Sequence, residues 1–243
     1  MKLSDVLAKT LIKYKIKNVF GLQGGAVVHI FDSLEKYNIN VVYTLHEQTA
    51  SLAASANSKI EESKFGVCVV TSGPGATNAI TGLLGAWNDS TPCLFISGQV
   101  RSSHVSYGKK VRQFGTQEAP ICDIVKPIVK HSYYVDNPKD FQKKLENSIQ
   151  IATSGRPGPV WIDIPLEFQW VDVDYNLNYK VRRKKLEKAS KKIQKFENLL
   201  SESKQPLIIV GNGVRLSLST KLLKKFISIH NLPFVTTWTS QDN

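Results

Sequence analysis

Apolar and polar positions along the chain alternate between two periods. Leu3, Val6, Leu7 and Leu11 recur at i, i+3, i+4 and i+8, which predicts an amphipathic helix capped by Ser4 or Asp5. Asn18–Leu22 follows as a short strand that runs into Gly24-Gly25. Val27, Ile30, Phe31 and Leu34 mark a second helix. Next come a strand over Asn40–Thr44, an alanine-rich helix over 47–60 and an apolar strand over Val67–Thr71. That strand enters Ser72-Gly73-Pro74-Gly75-Ala76-Thr77-Asn78. Residues 76–86 read as a helix and Cys93–Ser97 as a strand. After a long polar segment, Pro127–Val135 reads as strand, 138–153 as helix and Pro159–Ile164 as strand. Strands that are apolar throughout and alternate with helices predict an α/β fold, a parallel sheet with helices on both faces.

The pattern changes after Trp170. Residues 171–186 lack a core period, which divides the chain into a first domain over 1–170, a basic linker over 171–189 and a second α/β unit over 190–243. In that unit Ile193, Phe196, Leu199 and Leu200 form a helical stripe. Pro206–Val214 is a buried strand with a glycine turn, 217–229 is helical and Leu232–Trp238 is strand-like. A strand–helix–strand piece of about 50 residues buries too little apolar surface for a stable domain, so this one is expected to be incomplete.

Composition narrows the class. Of 243 residues, 42% are hydrophobic, enough for a packed core and too many for global disorder. No apolar run approaches the ~18–20 residues that span a bilayer, and the N-terminus lacks the apolar stretch of a secretory signal. Cys68, Cys93 and Cys122 have no metal-ligand spacing and read as buried free thiols of a cytoplasmic protein. The net charge of +12 is uneven, with nine basic and two acidic residues in 180–197. A basic patch can bind nucleic acid or acidic membranes, but this one has no interleaved aromatics. It reads as a solvated linker entering an exposed helix face, so neither a nucleic-acid nor a membrane partner is expected.

Open parallel sheets bind ligands at the C-terminal ends of their strands. Gly24-Gly25, His46-Glu47, Ser72–Asn78 and the 98–118 loop all fall there. The Gly73–Asn78 segment joins a strand to a helix, where glycine allows close ligand approach and free N–H groups favour anions. It is neither a Walker loop nor a GxGxxG fingerprint. Glu47 opens a helix among small and apolar residues. The helix dipole favours its charge, and burial without polar partners opposes it. Taken alone it reads as an ordinary helix-start glutamate, and His46 as a core or capping histidine. His104, His131 and His230 have no metal spacing, and no nucleophile elbow is present.

Seven strings occur in one order: VFGLQGG (19–25), HEQTASLAASA (46–56), VVTSGPGATNAITGLLGAWNDSTP (69–92), FISGQV (95–100), RQFGTQE (112–118), IVKPIVKH (124–131) and SGRPGPVWIDIP (154–165). The ordered set resembles the N-terminal part of thiamine-diphosphate-dependent enzymes of the acetolactate synthase type. The remainder resembles the start of that family's central domain. The resemblance implies a pyrimidine-binding domain over 1–170 and a cofactor, thiamine diphosphate. Glu47 matches the family's catalytic glutamate, which hydrogen-bonds N1′ of the aminopyrimidine and controls its tautomer. Pro74 and Asn78 match positions around the pyrimidine ring. Gly24, Gly25 and Ala26 match the small-residue turn facing the reacting carbons, and Gln117 matches a glutamine of the substrate pocket. The implied reaction decarboxylates a 2-oxo acid such as pyruvate and adds the two-carbon unit to a second carbonyl.

Three positions depart from the family pattern. Gln23 stands where proline usually precedes the glycine pair, Thr116-Gln117-Glu118 where acetolactate synthases have Phe-Gln-Glu, and Leu166 where they have lysine. RQFGTQE and DIPLEFQ look closer to a branch acting in bacterial cell-surface sugar pathways, which makes a decarboxylase or lyase of such a pathway the alternative. The family's Gly-Asp-Gly…Asn signature, which holds Mg2+ and the diphosphate, has no match after residue 170. The chain by itself is therefore expected to be inactive, with the metal held elsewhere. In the family each active site joins two subunits, which implies a homodimer or larger homo-oligomer. Some relatives carry a flavin in the central domain. The non-enzyme alternative is an orphan dimerisation domain.

Overall fold

A computed structural model describes residues 1–60, 65–181 and 190–241. It divides into two compact units, Met1–Val181 and Arg182–Asn243. The first unit is built from α1 (Leu3–Lys13), β1 (Asn18–Gly21), α2 (Val28–Lys36), β2 (Asn40–Tyr43), α3 (Glu47–Ile60) and β3 (Gly66–Val70). It continues through α4 (Pro74–Asn78), α5 (Ile80–Asn88), β4 (Cys93–Gln99), α6 (Ile121–Val125), β5 (His131–Tyr134), α7 (Phe141–Thr153) and β6 (Val160–Pro165). The strands form one six-stranded sheet in the order β2-β1-β3-β4-β6-β5, and every pairing is parallel.

Side chains alternate across the central strands, as the two-residue period requires. Val67, Val69, Leu94, Ile96, Val160 and Ile162 face one core with Leu3, Leu7, Ile30 and Leu145 of α1, α2 and α7. Cys68, Val70, Phe95 and Trp161 face the other, with Ala50, Ala54, Leu83 and Val125 of α3, α5 and α6. The sheet is thus covered on both faces, which is why its central strands are apolar throughout. The three cysteines are buried free thiols, and burial pushes each of them up.

Several elements differ locally from the sequence reading. Ser4 and Asp5 do not cap α1. They lie within its first turn, buried, where the Ser33 hydroxyl bonds both, and Lys36 pairs with Asp5 at 2.9 Å. The helix expected over 76–86 is two helices that meet at Ala79. Pro127 belongs to a 3-10 turn, and β5 starts only at His131. Residues 171–181, read as linker, pack onto the first unit. Val173 N donates to Met1 O at 2.8 Å, and Lys13 Nζ donates to Tyr179 O at 2.6 Å. The same lysine pairs with the buried Glu146 at 2.8 Å, tying α1 to α7.

The second unit contains α8 (Ser190–Glu202), β7 (Ile208–Val210), α9 (Gly213–Leu216), α10 (Thr220–His230) and β8 (Phe234–Thr236). β7 and β8 pair in parallel, and Asn231, in the left-handed region at φ 45°, ends α10 before β8. Leu207, Ile209, Phe234, Val235 and Trp238 are all exposed. Residues 182–189, which hold five of the nine basic residues of 180–197, lie outside the described residues.

Candidate active site

β1 leads to β2 on one side of it, and β2 leads across to β3 on the other. β3 in turn leads on to β4, away from β1, so the connections leaving the C-terminal ends of β1 and β3 run in opposite directions, the position at which open parallel sheets form a ligand crevice. Glu47 stands at that edge as the first residue of α3. His46 caps the helix: its Nδ1 accepts from Gln48 N at 3.1 Å, and Thr44 Oγ1 donates to its carbonyl at 2.9 Å. Glu47 is 8% exposed, and its Oε2 accepts from Asn78 Nδ2 at 3.0 Å. No hydrogen bond from the described residues reaches Oε1.

The turn after β3 faces that free oxygen. A β-carbon at Gly75 would lie 3.1 Å from Glu47 Oε1 and 2.6 Å from Thr71 Cγ2, so only glycine leaves the carboxylate open. Pro74 is the first residue of α4, and both it and Asn78 are exposed at the crevice. Thr71 joins this turn to the one after β1. Its Oγ1 accepts from Ala26 N at 3.3 Å, and Gly24 packs on its side chain where a β-carbon would come within 2.5 Å. From below, Gln169 Nε2 donates to Ala26 O at 2.7 Å. Beside Gly24 and Gly25 lies a cleft of about 480 Å3 whose walls include Gln23, Phe31 and Glu35. Gln23 Nε2 donates to Tyr43 OH at 3.1 Å.

Gln117 reaches the same edge by backbone contact. Gly73 has φ 58°, a left-handed conformation that favours glycine, and its missing side chain makes room for the Gln117 carbonyl. Gln117 itself has φ 60° and is exposed, and its amide makes no hydrogen bond to the described residues. Three carboxylates lie along the loop that carries it, two bonded to it directly and one bonded to Gln99, whose amide donates to the carbonyl of Ala119. Glu167 accepts from Ser102 N and Oγ at the loop's start. Glu118 accepts from Ser106 N and Oγ, Phe114 N and Gly115 N. Burial pushes the Glu118 carboxyl up, but these bonds outweigh it and hold the group below the usual carboxylate range.

The third carboxylate is Asp163, fully buried on β6. It accepts from Ser97 Oγ at 2.6 Å and Gln99 Nε2 at 2.9 Å. Burial dominates those bonds and pushes its carboxyl up to about 7. A carboxylate raised in the folded state makes folding less favourable as pH rises from its unfolded value toward the folded one. Asp163→Asn should remove this dependence. Its unfolding free energy relative to the wild type is expected to gain about 2 kcal/mol between pH 5 and pH 8, measured by urea unfolding at each pH.

The structure thus gathers Glu47, Asn78, Pro74, Gly24, Gly25, Ala26 and Gln117 along one edge of the sheet. The sequence reading singled out all of these and missed Thr71, Gln99, Asp163 and Gln169. Strand period puts Gln99 on the face of Ser97 and Asp163 on the face of Trp161, but only the β4–β6 register brings the two strands' residues together, and no sequence pattern shows it. Among the described residues no three histidine, cysteine or carboxylate side chains come together as a metal site. No described helix is long and apolar enough to cross a membrane.

A doubly covered parallel sheet with a buried glutamate facing a glycine turn at its switch point defines a cofactor-binding α/β domain. The profile described as "Thiamine pyrophosphate enzyme, N-terminal TPP binding domain" matches residues 1–124, and the chain belongs to that family. It is 37% identical over 243 residues to the acetolactate synthase large subunit of Cyanidium caldarium, covering 95% of this chain and 40% of the relative. It is 34% identical over 239 residues to the acetolactate synthase large subunit of Lactococcus lactis subsp. lactis, with 96% and 40% covered. The probable acetolactate synthase large subunit of Methanocaldococcus jannaschii is 33% identical over 244 residues, with 98% and 40% covered. The chain spans about 40% of the length of these relatives.

Proposed function

We propose that the chain is the pyrimidine-holding part of a thiamine-diphosphate-dependent carboligase, which decarboxylates a 2-oxo acid such as pyruvate and adds the two-carbon unit to a second carbonyl. One observation carries this reading: the Glu47 carboxylate is held by Asn78 on one oxygen and open beside Gly75 on the other. That arrangement fits the aminopyrimidine end of thiamine diphosphate. Glu47 Oε1 would exchange a proton at N1′ while Asn78 keeps the carboxylate from turning away. Gly75 leaves the approach to Oε1 clear, and Pro74 and Asn78 would flank the ring. When bound, the cofactor supplies the electron sink for loss of carbon dioxide. Gly24, Gly25 and Ala26 would leave room for the reacting carbons, and the unpartnered Gln117 amide would bind substrate.

The reading assigns the diphosphate and Mg2+ to a separate domain, and the complete site to a cytoplasmic homodimer or larger homo-oligomer. The names of the relatives support acetolactate as the product. The Gln23–Tyr43 bond beside the glycine turn favours a second reading, a lyase or decarboxylase acting on a more polar, sugar-derived substrate. Product analysis separates them. The full-length protein with pyruvate, thiamine diphosphate and Mg2+ should release acetolactate. Acetaldehyde alone would assign a simple decarboxylase, and unconsumed pyruvate would overturn pyruvate as the substrate.

A further inference from the structure

Asp163 is a fully buried carboxylate that the proposed chemistry does not use. Its partners lead to the loop that does. Ser97 lies directly across from it in the β4–β6 register, donates to Oδ1 at 2.6 Å and accepts from Trp161 Nε1 at 2.8 Å. Gln99, two residues further along the same face, donates to Oδ2 at 2.9 Å. The same Nε2 donates to the carbonyl of Ala119 at 2.8 Å, and Oε1 accepts from Val100 N at 2.9 Å. The Gln99 amide thus has its oxygen and both its protons engaged, and cannot turn over without losing bonds at both ends. Ala119 follows Glu118, whose carboxylate gathers Ser106, Phe114 and Gly115, and lies two residues from Gln117. Cys122 of α6, Tyr134 of β5 and Tyr107 of the loop also face Asp163, and no described cation neutralises it.

We propose that Asp163 is a positioning residue for Gln117, acting through the Gln99 amide that links it to the carbonyl of Ala119. A buried carboxylate is costly, and an apolar residue would pack β6 as well. What the carboxyl group adds is a fixed acceptor that sets the orientation of Gln99, and through it the height of the Gln117 segment above the Gly73 turn. Asparagine can do the same: its Oδ1 accepts from Gln99 while its Nδ2 donates to Ser97. Alanine cannot.

The proposal rests on Gln117 meeting substrate, so its test has two arms. The first is hydrogen exchange on the chain itself, which needs no catalysis. Asp163→Ala should speed exchange of the Ser106, Phe114, Gly115 and Glu118 amides about tenfold or more, leaving β3 and α1 protected. Asp163→Asn should stay within about threefold of the wild type. Unchanged loop exchange in Asp163→Ala would overturn the tether. So would faster exchange throughout the sheet, or an asparagine variant as exposed as the alanine one. The second arm is a double-mutant cycle in the full-length enzyme with thiamine diphosphate, Mg2+ and pyruvate. Asp163→Ala should raise KM with a smaller change in kcat, and the effect should vanish in a Gln117→Ala background. Additive effects would overturn the route through Gln117. If Gln117→Ala alone changes nothing, the assignment of Gln117 fails, and the exchange arm still decides the tether.

Discussion

Glu47→Gln in the full-length protein is expected to lower turnover by about 10²–10⁴ while leaving the fold intact, the range that a positioned proton-transfer group contributes. The two side chains have the same shape, so Asn78 can still donate to the amide oxygen. The amide nitrogen then occupies the place of the open Oε1, and it cannot take or return a proton. A far-UV spectrum and melting temperature close to the wild type, with turnover lost, is the expected pair of results. Turnover close to the wild type would remove Glu47 from the mechanism. Loss of turnover together with loss of fold would leave the measurement to cofactor binding by the folded fraction, which should be weakened.

The second large effect is structural. Gly98→Ala should destabilise the first unit by about 3 kcal/mol or more, the upper end of the overpacking range. Gly98 lies in β4, and a side chain there would overlap the carbonyl of Ala26 and press on Val27. Neither neighbour can yield easily. β4 is held between β3 and β6, and the Ala26 carbonyl accepts from the buried Gln169. The clash would therefore be relieved at the Gly24–Ala26 turn, so any folded protein should also show a changed cleft. Urea unfolding measures the first effect, and a stability near the wild type would contradict the packing described.

The parallel sheet was legible because the chain uses the simplest signals for it. Val67–Val70 and Cys93–Ile96 are apolar at every position, which only a doubly covered strand requires. The strand-end pattern points to His46-Glu47, Ser72–Asn78 and the 98–118 loop, but the roles of Glu47, Pro74, Asn78 and Gln117 are implied by the resemblance alone, since a helix-start glutamate and an exposed loop glutamine have no local mark of function. Tertiary partners decided what stayed hidden. Ser4 and Asp5 look like caps in the sequence, but α2 presents Ser33 and Lys36 to them, and they pair with these instead. Residues 171–181 lack a helical period, but Val171, Val173 and Tyr175 alternate and pack on the first core, while backbone bonds to Leu3 and Met1 hold Val171 and Val173 in place. Asp163 sits in an apolar strand, and nothing near it in sequence says that Gln99 will meet it.

The strand order has a consequence for the time course of synthesis. β6 is the last strand of the first unit to be made, yet it lies inside the sheet, between β4 and β5. β5 pairs with β6 alone, so it has no partner until residue 165 has emerged. All the residues assigned to the cofactor and substrate are already present by Gln117. The bonds that support them from β6 and the turn after it, Gln99 to Asp163 and Gln169 to Ala26, form only after some fifty further residues arrive, which makes closure a late, long-range event. The stretch recognised by the family profile, 1–124, is therefore shorter than the stretch that must be synthesised before the unit can fold.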